Sequence, residues 1–469
     1  MSQSAKLELP PGPPLPRVVQ AALLLHYWPR LVAAYQRRYG NMFTMRVASM
    51  GTLVYLADPA DIKTVFAGDP AVFHAGEANS PMLAEILGES SVLVVDGDIH
   101  RDRRRLMMAP FAREAVARQT PVMSEVAAAN IAGWPVGTEF PVGPKMSEIT
   151  LEVILRTVIG ATDPARLAAL REVMPRVLSL GPWATMALYR PKLQQRRPWR
   201  YVRRRLDEAD ALLYAEIADR RADPNLADRT DVLAMLVRAA DDDGRQMSDT
   251  ELRDQLMTLL AAGHDTTATA LSWALEQLTR HPAILARAAQ AAEDSAAGDP
   301  AADEYLDAIC RETLRIRPVV FDVGRTLTAP IELGGYRLPA GVMVVPGVGL
   351  VHGSAATYQE PDRFDPDRML GSDPRSTILG PTTWLPFGGG NRRCLGANFA
   401  LVEMRVILRE VLRRVEMCTT TAPGERQRVR GVILEPHRGA RIQVRSRRPA
   451  ATASPASPAA PSAAQCPVR

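Results

Sequence analysis

Cysteine is scarce: four residues, Cys310, Cys394, Cys418 and Cys466, in a chain of 469, with no CxxC pair among them. That spacing argues against a disulfide framework and a zinc ribbon, and a reducing cytoplasm is the compartment expected. Long apolar runs are also missing. The stretch "VVQAALLLHYW" near the N-terminus is broken by Gln20 and His26 and is about half the ~20 residues that cross a bilayer. Neither a signal peptide nor a transmembrane anchor is expected. The net charge of +5 is mild for this length, so nucleic acid is not the expected partner. No repeat of fixed period and no long linker break the chain between Pro16 and Arg445, which favours one large domain.

What is present is enough for a large core: 46% of residues are hydrophobic and 23% charged. Composition delimits a proline-rich segment over residues 1–16, a folded domain over 17–445, and a tail over 446–469. The tail, "SRRPAATASPASPAAPSAAQCPVR", has almost no large apolar side chain to offset its ordering entropy, so disorder is expected there. Helical spacing dominates the domain. The strongest helix opens at "SDTE", Ser248 to Glu251, a capping box, and runs to Pro282; roughly 32 residues at 1.5 Å each reach about 48 Å, enough to cross the domain. Further helical stretches are "SEITLEVILRTVIG", "RRLDEADALLYAEIADRRA", "ADEYLDAICRETLRI" and "ANFALVEMRVILREVLRRVE". Strand-like pieces are "MFTMRVA", "TLVYLA", "GYRLPAGVMVVPG" and "RIQVR". The balance predicts a mainly α domain with small peripheral β-sheets.

The loop "FGGGNRRCLG", Phe387 to Gly396, suits either a phosphate or a metal. A phosphate loop needs lysine then serine or threonine after its last glycine, and a dinucleotide fingerprint needs GxGxxG. Here Ala397 follows Gly396 and Arg393 fills the sixth place of the second frame, so both templates fail. A metal fits better. Cys394 precedes an amphipathic helix carrying Leu401, Met404, Leu408, Val411 and Val415, whose dipole favours a thiolate at its start. The glycines at 388, 389, 390 and 396 leave room for backbone N–H groups, positive φ and a flat ligand. A glycine-rich turn around a structural cysteine would account for the loop alone equally well.

Phe387, Gly390, Arg392, Cys394 and Gly396 together match FxxGxRxCxG, and in this the chain resembles the haem-thiolate monooxygenases, the cytochromes P-450. The resemblance implies the cytochrome P-450 fold, with haem b (iron protoporphyrin IX) between the long helix and the helix after the cysteine loop. It makes Cys394 the axial ligand of the haem iron and sets Phe387, Gly388 and Gly396 against the cofactor. "RETLRIRP" supplies the family's ExxR pair, Glu312 and Arg315, and "FDPDRM" supplies its third member, Arg368; Met369 departs from the usual phenylalanine. "AAGHDTTATA", mid-helix, combines a glycine with threonines that are poor helix formers, and resembles the segment that distorts to leave a groove for dioxygen at Ala262 and Gly263. Asp265 and Thr266 match its proton-relaying acid and alcohol; His264 occupies a variable place and no ligand role is expected of it. His100 and Arg104 match an HxxxR pair for the haem propionates, joined by Arg325 and Arg392. The matching runs from "LPPGPPLP" to "PHRGARIQVR" and leaves out the tail.

The function this implies is activation of dioxygen and hydroxylation or epoxidation of a lipophilic small molecule. Electrons are expected from NAD(P)H through a separate ferredoxin and ferredoxin reductase, with Arg103, Arg105 and Arg393 near the docking face. Substrate contacts are expected from "HAGEANSPMLAEILGESSVLVV", the helix around Ala262, "PVVFDVG" and "LGPWATMALY", which are apolar and suit a lipid, terpene, sterol or polyketide-like compound. The basic run Arg196 to Arg205 reads as a solvated helix face in preference to a membrane contact. A peroxide-driven peroxygenase and a non-catalytic haem-binding sensor or carrier are the alternatives.

Overall fold

The capping box expected at Ser248 forms: its hydroxyl accepts from the Glu251 N–H, and the Glu251 carboxylate accepts from the Ser248 N–H at 2.8 Å. The computed structural model describes residues 9–48, 50–178 and 199–448. The helices that position the site are α1 (Arg17–Tyr39), α2 (Pro59–Ala67), α3 (Ala75–Leu87), α4 (Gly97–Met108), α5 (Thr120–Ile131), α6 (Gly143–Ile154), α7 (Arg200–Ala222), α8 (Asp249–Arg280), α9 (Pro300–Ile316) and α10 (Ala397–Arg414). Helix α8 stops two residues before Pro282. His281, at φ −123° and ψ 80°, has already left the helix, because the residue before a proline is pushed towards extended backbone.

The strands are β1 (Met42–Val47), β2 (Gly51–Leu56), β3 (Phe73–His74), β4 (Glu139–Pro141), β5 (Arg325–Leu327), β6 (Ile331–Leu333), β7 (Tyr336–Leu338), β8 (Met343–Pro346), β9 (Val415–Met417), β10 (Gln427–Arg430), β11 (Ile433–Pro436) and β12 (Arg441–Arg447). They form a five-stranded sheet in the order β1-β2-β8-β5-β3, a three-stranded sheet β4-β12-β9, and the pairs β10-β11 and β6-β7. In the largest sheet β2 and β8 run parallel, Leu53 opposite Met343, and the other pairs are antiparallel. "GYRLPAGVMVVPG" is therefore two strands in different sheets, divided by a turn at Gly341, whose φ is +80°. Strand β12 continues through Arg447, two residues past the compositional boundary at Ser446, because Ser446 and Arg447 pair with Glu416 and Val415. The tail from residue 449 on, the first eight residues and "LGPWATMALY" lie outside the described residues.

The main core surrounds α8. Leu271 and Leu275 meet Ile149 and Val153 of α6, Leu306 and Ile309 of α9, and Ile407, Leu408 and Val411 of α10. Helix α8 is buried along most of its length, including polar residues such as Gln255, Thr269, Ser272 and Glu276, as expected of a helix in the middle of a large domain. Replacing Leu271, which is 0% exposed, with alanine is expected to cost ~3 kcal/mol through lost burial and the cavity left behind; the shift in denaturation midpoint of the purified protein measures it.

Candidate functional site

The site is anchored by a buried carboxylate. Glu312 on α9 is 0% exposed and receives Arg315 Nη2 and Nε at 2.7 and 2.8 Å, and Arg368 Nε at 3.1 Å. The backbone N–H of Asp365 donates to the same oxygen as Arg368, at 3.0 Å. Burial pushes the Glu312 carboxyl up, against the pull of Arg315 and Arg368. A buried ion pair of this kind adds little net stability, but losing one partner strands a charge and costs ~3–5 kcal/mol. The remaining guanidinium donors go to main-chain oxygens: Arg315 to His352 and Pro361 at 3.0 and 2.7 Å, Arg368 to Gln359 at 2.9 Å.

From there one side chain leads to the cysteine loop. His352, fully buried, accepts a hydrogen bond from the Leu385 N–H on Nε2 at 2.9 Å. The Leu385 carbonyl accepts from Gly388 N at 2.9 Å, and the Phe387 carbonyl from Cys394 N at 2.8 Å, closing the loop. Phe387 packs edge-on to Trp384 at 5.8 Å. Gly390 has φ +66°, and a Cβ there would fall 1.9 Å from the carbonyl oxygen of Phe66 on α2, so no other residue fits. Gly388, at φ +63°, is likewise in the left-handed region.

Cys394 retains accessible surface, yet protein atoms crowd it enough that burial pushes its thiol up. The sulfur thus faces an opening within the fold. The Gly396 N–H, Arg104 and Arg393 all favour the charged form without reversing the shift. Against the thiolate favoured by the helix dipole, desolvation in the protein by itself raises the thiol, and a cation at the sulfur would complete the balance.

Helix α4 places His100 and Arg104 one turn apart. His100 is 4% exposed, and burial, with Arg392, Arg104 and Arg325 nearby, lowers its pKa to about 4; Asp96 is the one carboxylate acting on it. A cluster so rich in cations and so poor in anions suits a ligand that brings carboxylates. Arg392 is already committed in part: it donates to the carbonyls of Val92 and Val95 at 3.1 and 2.6 Å and pairs with Asp96. Asp96 also accepts from the N–H groups of Gly76 and Glu77 at 2.9 and 2.8 Å, capping α3 from a distance. Arg325 donates to the Gly324 carbonyl at 2.7 Å. Arg103 lies on the buried side of α4 and pairs with Glu251, so it is withdrawn from the expected docking face. Arg105 pairs with Asp242, and Arg393 stays exposed.

Along α8 the burial pattern opens at one stripe. Ala262 is exposed and Leu259, Gly263 and Thr266 are partly open, one face of an otherwise covered helix. The expected distortion takes no form of a break, since 249–280 is helical throughout. Thr266 instead donates to the Ala262 carbonyl at 2.6 Å, one turn back. Gly263 serves packing: a Cβ there would lie 2.7 Å from Ile154 Cδ1 of α6. Asp265 points away from Thr266's stripe and pairs with Arg430 of β10 at 2.9 Å, while Arg430 also holds Glu435 at 2.7 Å. His264 is buried against Thr150, with Nδ1 3.0 Å from its hydroxyl, and so is spent on structure.

His352, Asp96, Phe66 and Arg430 were not singled out from the sequence. Asp96, just ahead of a helix in "VDGDIH", carried a capping signal; the other three sit in segments with no local motif.

The site thus joins a buried ion-pair hub, tied through His352 to a cysteine loop, with a cationic cluster on α4 and an open stripe on the central helix. The comparisons agree: the family model described as Cytochrome P450 matches residues 10–442. A Mycobacterium tuberculosis protein named "Putative cytochrome P450 135B1" is 68% identical over 454 residues, covering 97% of this chain and 95% of that one. Another from the same species, "Putative cytochrome P450 135A1", is 39% identical over 447 residues, covering 95% and 97%. Among solved structures, a retinoic acid-bound cyanobacterial CYP120A1 superposes with a TM-score of 0.80 at 24% identity, covering 94% of this chain and 99% of that one. The chain belongs to the cytochrome P450 family, whose members bind haem.

His352 and His100, with pKa values lowered to about 3 and about 4 from 6.5, stay neutral in the fold while the unfolded chain takes up protons first. Their contribution is complete above pH 6.5 and is lost as pH falls towards 4 and then 3. Thermal unfolding followed across that window is expected to show Tm dropping with acidity, with a shallower drop in His352→Gln; equal slopes would contradict the assignment.

Proposed function

We propose that this protein is a haem-thiolate monooxygenase in which Cys394 ligates the haem iron. The observation that carries the reading is the cysteine sulfur at the start of α10, receiving the Gly396 N–H, with Arg104 and Arg393 beside it. Haem held there would supply reductive activation of dioxygen. The chain's own groups divide the remaining work. Gly396, Arg104 and Arg393 steady negative charge on Sγ. His100, Arg104 and Arg325, with the part of Arg392 not taken by Asp96, receive the propionates.

The open stripe of α8 leaves space at Ala262, with Gly263 beside it packed on Ile154. Thr266 can hold a proton at Oγ1 through its bond to the Ala262 carbonyl. Asp265 supplies the acid of the pair, and its carboxylate must leave Arg430 to reach the stripe. Substrate is a lipophilic molecule bounded by α3 and the α8 stripe, where Leu83 and Ile86 share an apolar cluster with Leu259 and Ala261, and by the segment "PVVFDVG". Electrons come from NAD(P)H by way of a ferredoxin and its reductase, steered by Arg393 and Arg105.

Two measurements test this. The reduced parent protein under carbon monoxide is expected to show the strongly red-shifted band of a thiolate-bound haem, and Cys394→Ala to lose it; an unchanged band in the variant overturns the ligand assignment. Thr266→Ala is expected to keep that band but consume NAD(P)H with roughly a hundredfold less product per electron pair, the lower end of the usual scale of general acid catalysis; unaltered coupling would remove Thr266 from the relay.

A further inference from the structure

Arg317 follows Arg315 of the ion-pair hub by two residues, in "RETLRIRP". Pro318 pushes it out of the helix, to φ −129° and ψ 65°, as the C-cap of α9. Its guanidinium lies over the ring of Trp273, 5.1 Å from the centroid. That indole is 0% exposed and donates to the Leu434 carbonyl at 2.9 Å. One face of the cation is thus covered by a rigid wall, and stacking of this kind leaves the N–H edge available.

That edge has no protein partner. Nε is enclosed without an acceptor, and among the described residues the terminal nitrogens make no hydrogen bond and meet no carboxylate at ion-pair distance. Burial pushes the Arg317 pKa down, while Glu276 and Asp362 oppose this only from further off. Glu276 is already taken, receiving Gln277 Nε2 at 2.7 Å, the Glu425 N–H at 3.0 Å and Arg280 Nε. Desolvated cations are otherwise paired, so a half-buried guanidinium lacking any acceptor points to a ligand.

Two cavities meet at Arg317. One, of ≈ 390 Å³, reaches back to His281 and Asp362; the other is an open groove of ≈ 1020 Å³ between α1 and the β10–β11 pair. Along the groove stand Arg30, Arg426 and Arg438. The Arg30 and Arg426 side chains have no partner among the described residues, and Arg438 Nε is 3.8 Å from Glu425. Glu425 is the one carboxylate among the lining residues, and the N–H groups of Arg438 and Arg441 occupy it at 2.8 and 3.0 Å. Arg428, also in the wall, is neutralised by Glu435 at 2.8 Å.

We propose that this groove binds a soluble small molecule carrying a chain of two or more phosphates. One phosphate meets the N–H edge of Arg317, whose planar fork matches its oxygens. The others meet Arg30, Arg426 and Arg438, and the organic part lies against Tyr27, Pro29 and Pro423. A single carboxylate or a chloride would leave most of these cations uncompensated. A flat bilayer would reach the exposed rim, where Arg30, Arg426 and Arg438 lie, but not the recessed Arg317.

The test is titration calorimetry and thermal unfolding of the full chain, haem bound, with ADP and with inorganic pyrophosphate, against orthophosphate. The parent is expected to bind the first two more tightly than the third, to gain Tm with them, and to bind more weakly in high salt. R317Q is expected to bind roughly tenfold less tightly, the scale of a lost charge-assisted hydrogen bond. R426Q is expected to weaken binding too, and R203Q, on α7 where Arg203 pairs with Asp207, to leave it unchanged. If R317Q fails to fold, R426Q and R30Q on the exposed rim decide. Absence of parent binding, equal affinity for orthophosphate, undiminished binding by the groove variants, or an equal loss in R203Q overturns the proposal. So does binding to phosphatidylglycerol vesicles without binding to the soluble phosphates, which would assign the arginines to a lipid headgroup.

Discussion

The structure depends on a carboxylate that water never reaches. Glu312 carries its charge into the interior only because Arg315 and Arg368 surround it, and each arginine then spends its other donors on main-chain oxygens between His352 and Arg363. The energy of the triad is close to break-even, because burial raises the Glu312 carboxyl even with two cations beside it. Its value is positional: three side chains from two distant segments fix the path of an irregular stretch that has little regular structure of its own. His352 extends that hold to Leu385, and the cysteine loop begins two residues later.

The central helix shows the opposite strategy, precision through missing atoms. A glycine in the middle of a 32-residue helix costs ~1 kcal/mol against alanine, and α8 accepts this because Ile154 occupies the space. One residue earlier, Ala262 is small and uncovered, so neighbouring positions do different work, one packing against α6 and the other opening. The same division separates Asp265 from Thr266, adjacent in sequence but turned to different faces, the first to Arg430 and the second to its own helix.

Helices with caps and regular apolar spacing were legible in the sequence: the capping box fixed the start of α8, and the run after Cys394 became α10. Short strands were not, since β3, β5 and β9 have two or three residues each, too few to show an alternation, and are held by pairing with distant segments. At the site, residue types with a fixed local spacing, such as Glu312 with Arg315 or His100 with Arg104, could be picked out. Their partners across the fold could not. Nothing near His352 announces a link to Leu385, nothing near Arg430 announces Asp265, and Arg103 looked like a surface cation until the register of α4 turned it inward. Asp96 sits between these cases, a visible helix cap whose second role, holding Arg392 from 296 positions away, appears only in three dimensions.

The contact between Gly263 and Ile154 makes those two positions trade volume. A methyl group gained on the long helix meets the far end of the Ile154 side chain, which has to turn aside or be shortened to make room. Anyone reshaping the chamber beside Ala262 has to treat the pair as a single unit of design.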